Sequence, residues 1–154
     1  MIRKIKRLLI PIVYPIFKSY WFIRRPTTYG VKCLVWNNHK LLLVKMSYGH
    51  KLWTIPGGGI KRKEKGADAA KREVKEETGV KVISIVKIGE YKTIKEYKND
   101  TVYCYSSDTI SENIKIDETE ITDAEWFSTK RLPEERTKQV NQILELYNRY
   151  KREL

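Results

Sequence analysis

Glu73, Glu76 and Glu77 crowd into five residues of the stretch GGGIKRKEKGADAAKREVKEETGV, residues 57–80. On a helix, like charges spaced three and four residues apart repel one another. Stepping about 100° per residue puts all three carboxylates within one arc of about 100°. Ala67, Ala70 and Val74 fall on the adjoining edge, which can pack on a sheet, and Asp68, Lys71 and Lys75 turn to the other side. Those lysines therefore do not offset the repulsion, and only Arg72 falls beside Glu76. Either the cluster is a solvated charged face or a divalent cation is meant to sit among the glutamates. Hard cations such as Mg²⁺ take oxygen ligands and bind where carboxylates meet phosphate oxygens. Gly57, Gly58 and Gly59 precede the helix as a loop whose backbone can approach a polyphosphate or a metal closely.

The elements around this helix must position it. YGVKCLVW and HKLLLVKM read as strands joined by a hairpin turn at Asn37-Asn38. KLWTIP is a short extended piece closed by Pro56. Ala67 to Thr78 favour helix, and Gly79 fits the left-handed position just past its end. VKVISIVKIGEYKTI and DTVYCYSSDTI follow as strands with a turn near Lys98 to Asp100, and DAEWFS as one more. LPEERTKQVNQILELYNRYKREL starts on a proline and carries Val140, Ile143, Leu144 and Tyr147 at helical spacing. The order strands, helix, strands, helix implies an α/β domain on a mixed sheet.

The 154 residues suit one domain of ordinary hydrophobic content, 41%, which excludes a disordered chain. Thirty-one basic residues against 19 acidic give +12, and the first 25 residues supply seven of the basic residues with no acid. The excess favours anionic partners: nucleotides, RNA or acidic lipid headgroups. Cys33 and Cys104 fit no metal spacing and read as reduced, half-buried strand residues of a cytoplasmic protein.

The opening MIRKIKRLLIPIVYPIFKSYWFIRRP is basic and then apolar, but no small-residue cleavage site follows. Its run from Leu8 to Phe17 is shorter than the roughly 20 residues that span a bilayer. Pro11 and Pro15 argue against one straight helix. Two readings stay open for residues 1–25: packing on the domain or on a second subunit in a homodimer, or lying in a membrane interface with Tyr14, Tyr20 and Trp21 at headgroup level. Residues 26–154 form the domain proper.

Gly58, five residues, Glu64, seven residues, Arg72-Glu73-Val74, one residue, Glu76-Glu77, one residue and Gly79-Val80 resemble the Nudix box at each of its specified positions. WTIPGGG before the box and AEWFSTKRLP after it are also similar to Nudix hydrolases. The resemblance implies an α/β/α sandwich with a mixed sheet. It also implies Mg²⁺- or Mn²⁺-dependent hydrolysis of a diphosphate in a nucleoside diphosphate linked to another moiety. It casts Glu73, Glu76 and Glu77 as metal ligands, with Gly58's carbonyl and Glu64 as further contributors, and Arg72 as the group that orients Glu73. For the general base it offers Glu77, Glu118 or Glu120, with Glu120 preferred of the two later ones. Gly57, Gly58 and Gly59 would underlie the diphosphate. Lys61, Arg62 and Lys63 stand where many relatives carry an acid and a glycine. Lys61 and Arg62 are therefore substrate-contact candidates, set against a solvated loop. The usual Ser or Thr helix cap is replaced by Lys65-Gly66. Competing functions are an idle Nudix-fold module that binds RNA or acidic lipid, and a hydrolase of a membrane-borne diphosphate. Tyr48, Trp53, Tyr103 and Trp126 are candidates for stacking on a base, and His50 for touching substrate.

Overall fold

A computed structural model describes residues 20, 22–24, 26–47, 49, 51–95 and 97–154. Most of residues 1–25, together with Tyr48 and His50, fall outside the described residues. Eight elements and a short 3-10 turn follow in order. They are β1 (Thr27–Asn37), β2 (Lys40–Met46), β3 (Trp53–Thr54), α1 (Gly66–Thr78), β4 (Ser84–Lys95), β5 (Lys98–Asp108), β6 (Ile121–Ser128) and α2 (Lys138–Arg152), with the turn at Thr129–Arg131.

The strands form one mixed sheet in the order β3-β2-β1-β5-β4, with β6 on β2. β1 and β5 run parallel from Thr27↔Asn99 to Trp36↔Asp108, and the other pairings are antiparallel. Alternation along β1 divides the core. Val31, Cys33 and Val35 pack with Ala69, Ala70 and Val74 of α1, whereas Leu34 joins Val140 and Ile143 of α2. Leu41, Leu42, Leu43 and Val44 of β2 are all buried, as a strand covered on both faces requires. The result is the α/β/α sandwich with a mixed sheet.

Several boundaries differ from the sequence reading. Asn37 pairs with Lys40, so the hairpin turn is Asn38–His39. Both turn residues are left-handed, at φ 45° and 65°, the conformation that a two-residue hairpin loop demands. Lys95 pairs with Lys98, so the β4–β5 turn comes before Lys98 instead of running through it. α2 begins at Lys138, five residues after Pro133, because 133–137 is held to β3 through Trp53 N–H to Glu135 O and Thr137 N–H to Trp53 O. Cys33 and Cys104 are free and fully buried, and burial pushes both thiols up to about 12, which leaves them inert packing groups.

Candidate active site

The site lies where α1 meets the loop that precedes it. Residues 56–60 run beside β1: Cys33 N–H donates to Pro56 O, Val31 N–H to Gly58 O and Ile60 N–H to Tyr29 O. A side chain at Gly57, at φ 147°, would collide with the Val31 carbonyl. At Gly58 a Cβ would stand 2.6 Å from the Glu73 carboxylate. Glycine is therefore required here by close approach on both sides of the loop. Gly79, left-handed at φ 70°, closes α1 by donating its N–H to Lys75 O, and Lys65 at the N-cap makes no side-chain cap.

Arg72 organises the acids around it. Its Nε donates to Glu64 Oε1 (2.7 Å), and Nη2 donates to Glu64 Oε2 (2.9 Å) and Gly59 O (3.0 Å). Its Nη1 donates to Glu73 Oε1 (2.6 Å) and Glu76 Oε2 (3.1 Å). All five guanidinium protons are thus engaged, in the forked geometry that only arginine offers. The hydrogen bonds from Arg72, with that from Lys61 N–H, hold Glu64 down to about 2. Charge-assisted bonds to Glu64 first, then to Glu73 and Glu76, push the Arg72 pKa up in return. Glu64 is therefore tied up as the strut between loop and helix.

Glu77 is the opposite case. It is 3% exposed, and its Oε2 accepts the Gly57 N–H (3.1 Å). Desolvation pushes it up to about 7. Lys32 and the Gly57 bond pull the other way, while the charges of Glu73 and Glu120 add to the rise. The third glutamate is thus buried deeper than a border position, within range of the charges of two further carboxylates. Glu120 is brought there by a loop pinned to the end of α1: Lys115 N–H donates to Thr78 O and Asp117 N–H to Glu77 O. Ser47 N–H holds the Glu120 carbonyl. Of the two late candidates, Glu120 is the one whose charge adds to the rise at Glu77.

Among the described residues, no three His, Cys, Asp or Glu side chains close into a finished ligand cage. Glu73 and Glu76 each give one oxygen to Arg72, and the carboxylate of Glu76 lies 3.9 Å from Lys61 Nζ. The donor chemistry nevertheless fits a hard divalent cation: oxygen ligands only, a buried carboxylate whose ionised form is only partly compensated by Lys32 and the Gly57 N–H, and glycines whose backbone closes on the carboxylates. The Gly58 carbonyl is turned to the Val31 N–H, so the carboxylates are the better placed donors.

Gly57, Gly58 and Gly59 also line an open cleft of about 890 Å³ on the α2 side of the sheet. Its far wall carries Thr28, Lys32, Tyr91, Thr93 and Asp100, with Gln139 from the first turn of α2. Thr28 donates to Asp100 Oδ1 (2.9 Å), and Lys32 Nζ donates to Ile55 O (2.7 Å). The Tyr91 hydroxyl is buried, with no hydrogen-bond partner among the described residues. Sequence reasoning missed this wall. Its one signal was the alternation Thr28, Gly30, Lys32, a polar stripe opposite Val31, Cys33 and Val35.

Of the aromatic candidates, Trp53 is in the core against Phe127, and Trp126 donates to Glu112 O. Tyr103 stacks on Tyr29 under Lys87. None of these three candidates lines the cleft. Lys61, Arg62 and Lys63 are exposed and also lie off the cleft, and Lys63 takes the left-handed turn, at φ 66°.

Known proteins resemble this chain in sequence and in fold. The NUDIX domain model matches residues 26–149. A putative 8-oxo-dGTP diphosphatase of Bacillus subtilis is 31% identical over 106 residues, which cover 69% of this chain and 70% of that protein. An RNA pyrophosphohydrolase of Bartonella clarridgeiae is 42% identical over 55 residues, but those cover 34% of this chain and 32% of that protein. A MutT protein of Methanosarcina mazei has the same fold, with TM-score 0.72 at 22% identity over 84% of this chain and 96% of its own.

Proposed function

This chain belongs to the Nudix hydrolase family, and on that premise we propose that it hydrolyses a diphosphate linkage in a nucleoside diphosphate joined to another moiety. The observation that carries the reading is the buried Glu77 carboxylate, pushed up to about 7 beside Glu73 and under the Gly57–Gly59 loop. Such a group is poorly compensated until a cation arrives. Glu73, Glu76 and Glu77 would hold Mg²⁺ or Mn²⁺, with Glu64 and the Gly58 carbonyl as outer contributors. Bound there, the cation offsets charge on diphosphate oxygens and lowers the pKa of a water.

The chain's own residues supply the rest. Arg72 fixes Glu73 and Glu76 in place, and the glycine loop brings backbone close to the Glu73 carboxylate, where a diphosphate can lie beside the metal. Lys32 adds positive charge beside that loop. Glu120 is the proton acceptor of choice, because it is exposed, close to Glu77 in electrostatic terms and carried on a pinned loop. The cleft away from the box, with Tyr91 and Asp100, takes the nucleoside. Relatives named as a putative 8-oxo-dGTP diphosphatase and an RNA pyrophosphohydrolase support a nucleoside polyphosphate as the class. Two buried reduced thiols are compatible with work in the cytoplasm.

The test is a screen with added Mg²⁺ or Mn²⁺ over nucleoside triphosphates, nucleotide sugars, dinucleoside polyphosphates and triphosphorylated or capped RNA. Turnover that disappears in Glu76→Gln and Glu77→Gln is expected. No turnover on any of these substrates, or full activity in both variants, would overturn the assignment.

A further inference from the structure

The far wall of the cleft carries a preference among nucleosides, an inference that rests on the hydrolase reading above. Strand pairing sets the wall out in two rows. In the first, Gly59 bridges to Gly30, Gly30 pairs with Val102 and Val102 with Tyr91. In the second, two residues along each strand, Thr28 pairs with Asp100 and Asp100 with Thr93. The first row is a flat, largely apolar strip, and the second is polar throughout. All six strand residues line the cleft.

Asp100 is the one acidic side chain among the described residues that line the cleft, against Lys32, Lys51 and Lys98. A carboxylate is a poor neighbour for a polyphosphate, and Asp100 stands well away from the glycine loop. Two strand spacings and two residues along β5 separate it from Gly59, roughly 12 Å, which is the reach of a nucleoside. Its Oδ1 accepts the Thr28 hydroxyl (2.9 Å), the one hydrogen bond to this carboxylate among the described residues. An ionised carboxylate accepts at about four sites, so most of this capacity is open to donors from a ligand. Its charge also reaches the first row: burial, then the charges of Cys104 and Asp100, push the Tyr91 phenol up.

The bases differ in what they can offer two carboxylate oxygens. Guanine presents N1–H and the 2-amino group side by side, two donors for two acceptors. Adenine and cytosine set a ring acceptor beside their amino group, and uracil sets its single N–H between two carbonyls. We propose that Asp100, held by Thr28, is a specificity-determining residue that selects a guanine-type base edge, with the ring lying along Val102 and Tyr91. A ribose diol also offers two donors, but it lies nearer the diphosphate than Asp100 does.

The test is calorimetric binding of α,β-methylene diphosphates to the full chain with Mg²⁺. Their linkage resists hydrolysis, so recognition is read whether or not turnover occurs. The guanosine analogue is expected to bind at least about tenfold tighter than the adenosine one. The inosine analogue, without the 2-amino group, should fall between them, and the deoxyguanosine analogue should match guanosine. Asp100→Asn exchanges one acceptor for a donor, the complement of the adenine edge. It should weaken guanosine binding about tenfold and tighten adenosine binding, so that the preference is lost or inverted. Thr28→Val, which keeps the shape and removes the hydroxyl, should reduce the preference less. Thermal unfolding of each variant reports that the fold is intact. Equal binding of the guanosine and adenosine analogues, binding of neither, or a guanosine preference that survives in Asp100→Asn would each overturn the proposal. So would a preference for ribose over deoxyribose that Asp100→Asn abolishes. Guanosine selectivity without metal-dependent hydrolysis of GTP would support this inference and overturn the hydrolase reading. Hydrolysis of GTP and ATP with equal kcat/KM would do the reverse.

Discussion

The two ends of the cleft are built in opposite ways. At the box end, 23 consecutive residues supply nearly everything, and the groups answer one another: the five protons of Arg72 all have acceptors, and Glu64 has three donors. At the far end, Thr28, Tyr91, Asp100 and Gln139 come from four different elements, and the Tyr91 hydroxyl finds no partner among the described residues. A closed network resists change and suits a cation and a diphosphate, which are the same in every substrate of the class. A wall assembled from remote strands can vary without disturbing that network, and it suits the part of the substrate that differs.

The sharpest way to break this contrast is at the acids themselves. Glu76→Gln and Glu77→Gln should each lower kcat by roughly 10³, the equivalent of several kcal/mol of charge stabilisation. A loss below tenfold, measured in steady state with Mg²⁺ saturating, would remove these residues from the reaction. Next comes the folding of the metal-free protein. Glu77 is raised from 4.5 to about 7 in the fold, so the native state binds a proton that the unfolded chain releases. That contribution is present below pH 4.5 and is lost as pH rises through 7, to the extent of about 3 kcal/mol. Thermal unfolding in chelator should show Tm falling over that window, and Mg²⁺ should restore it at pH 7.5. A Glu77→Gln variant with an unchanged pH profile would contradict the origin assigned here.

Arg72→Lys should weaken Mn²⁺ affinity and activity by about 10- to 100-fold, because an ammonium cannot span Glu64, Glu73 and Glu76 at once. Titration followed by the Mn²⁺ electron paramagnetic resonance signal reads the affinity directly, and wild-type affinity would show that the network is ornamental to the site. The smallest effect is expected at the far wall. Tyr91→Phe should leave kcat alone, raise KM several-fold and stabilise the free protein by about 1 kcal/mol, since it deletes a buried unpaired hydroxyl. An unchanged KM would mean that the hydroxyl meets no substrate and that the two ends are less different than they look.

How far each part was legible follows from how local it is. The α1 helix, its glycine stop and the direction of its carboxylate face were readable, because helical period and end signals act over a few residues. The hairpin turn was misplaced by one residue and the start of α2 by five, since a proline marks where a helix can begin and only the pairing to β3 decided where it did. The aromatic candidates were open between stacking on a base and packing in the core, and only the fold shows that Trp53 packs against Phe127. The depth of Glu77 was also out of reach, because an angle on a helical wheel carries no information on what packs above it.

By itself, then, the sequence determined the reaction class: glutamates at fixed helical spacing, an arginine among them and glycines ahead of them depend on contacts within one short segment. The tertiary structure alone decided which carboxylate is buried, which late acid adds its charge to that carboxylate's surroundings and which residues line the cleft. Those outcomes depend on strand register. Thr93 and Asp100 stand across from Thr28 only because β1, β5 and β4 pair as they do, and no residue in any one of those strands encodes the alignment of the other two.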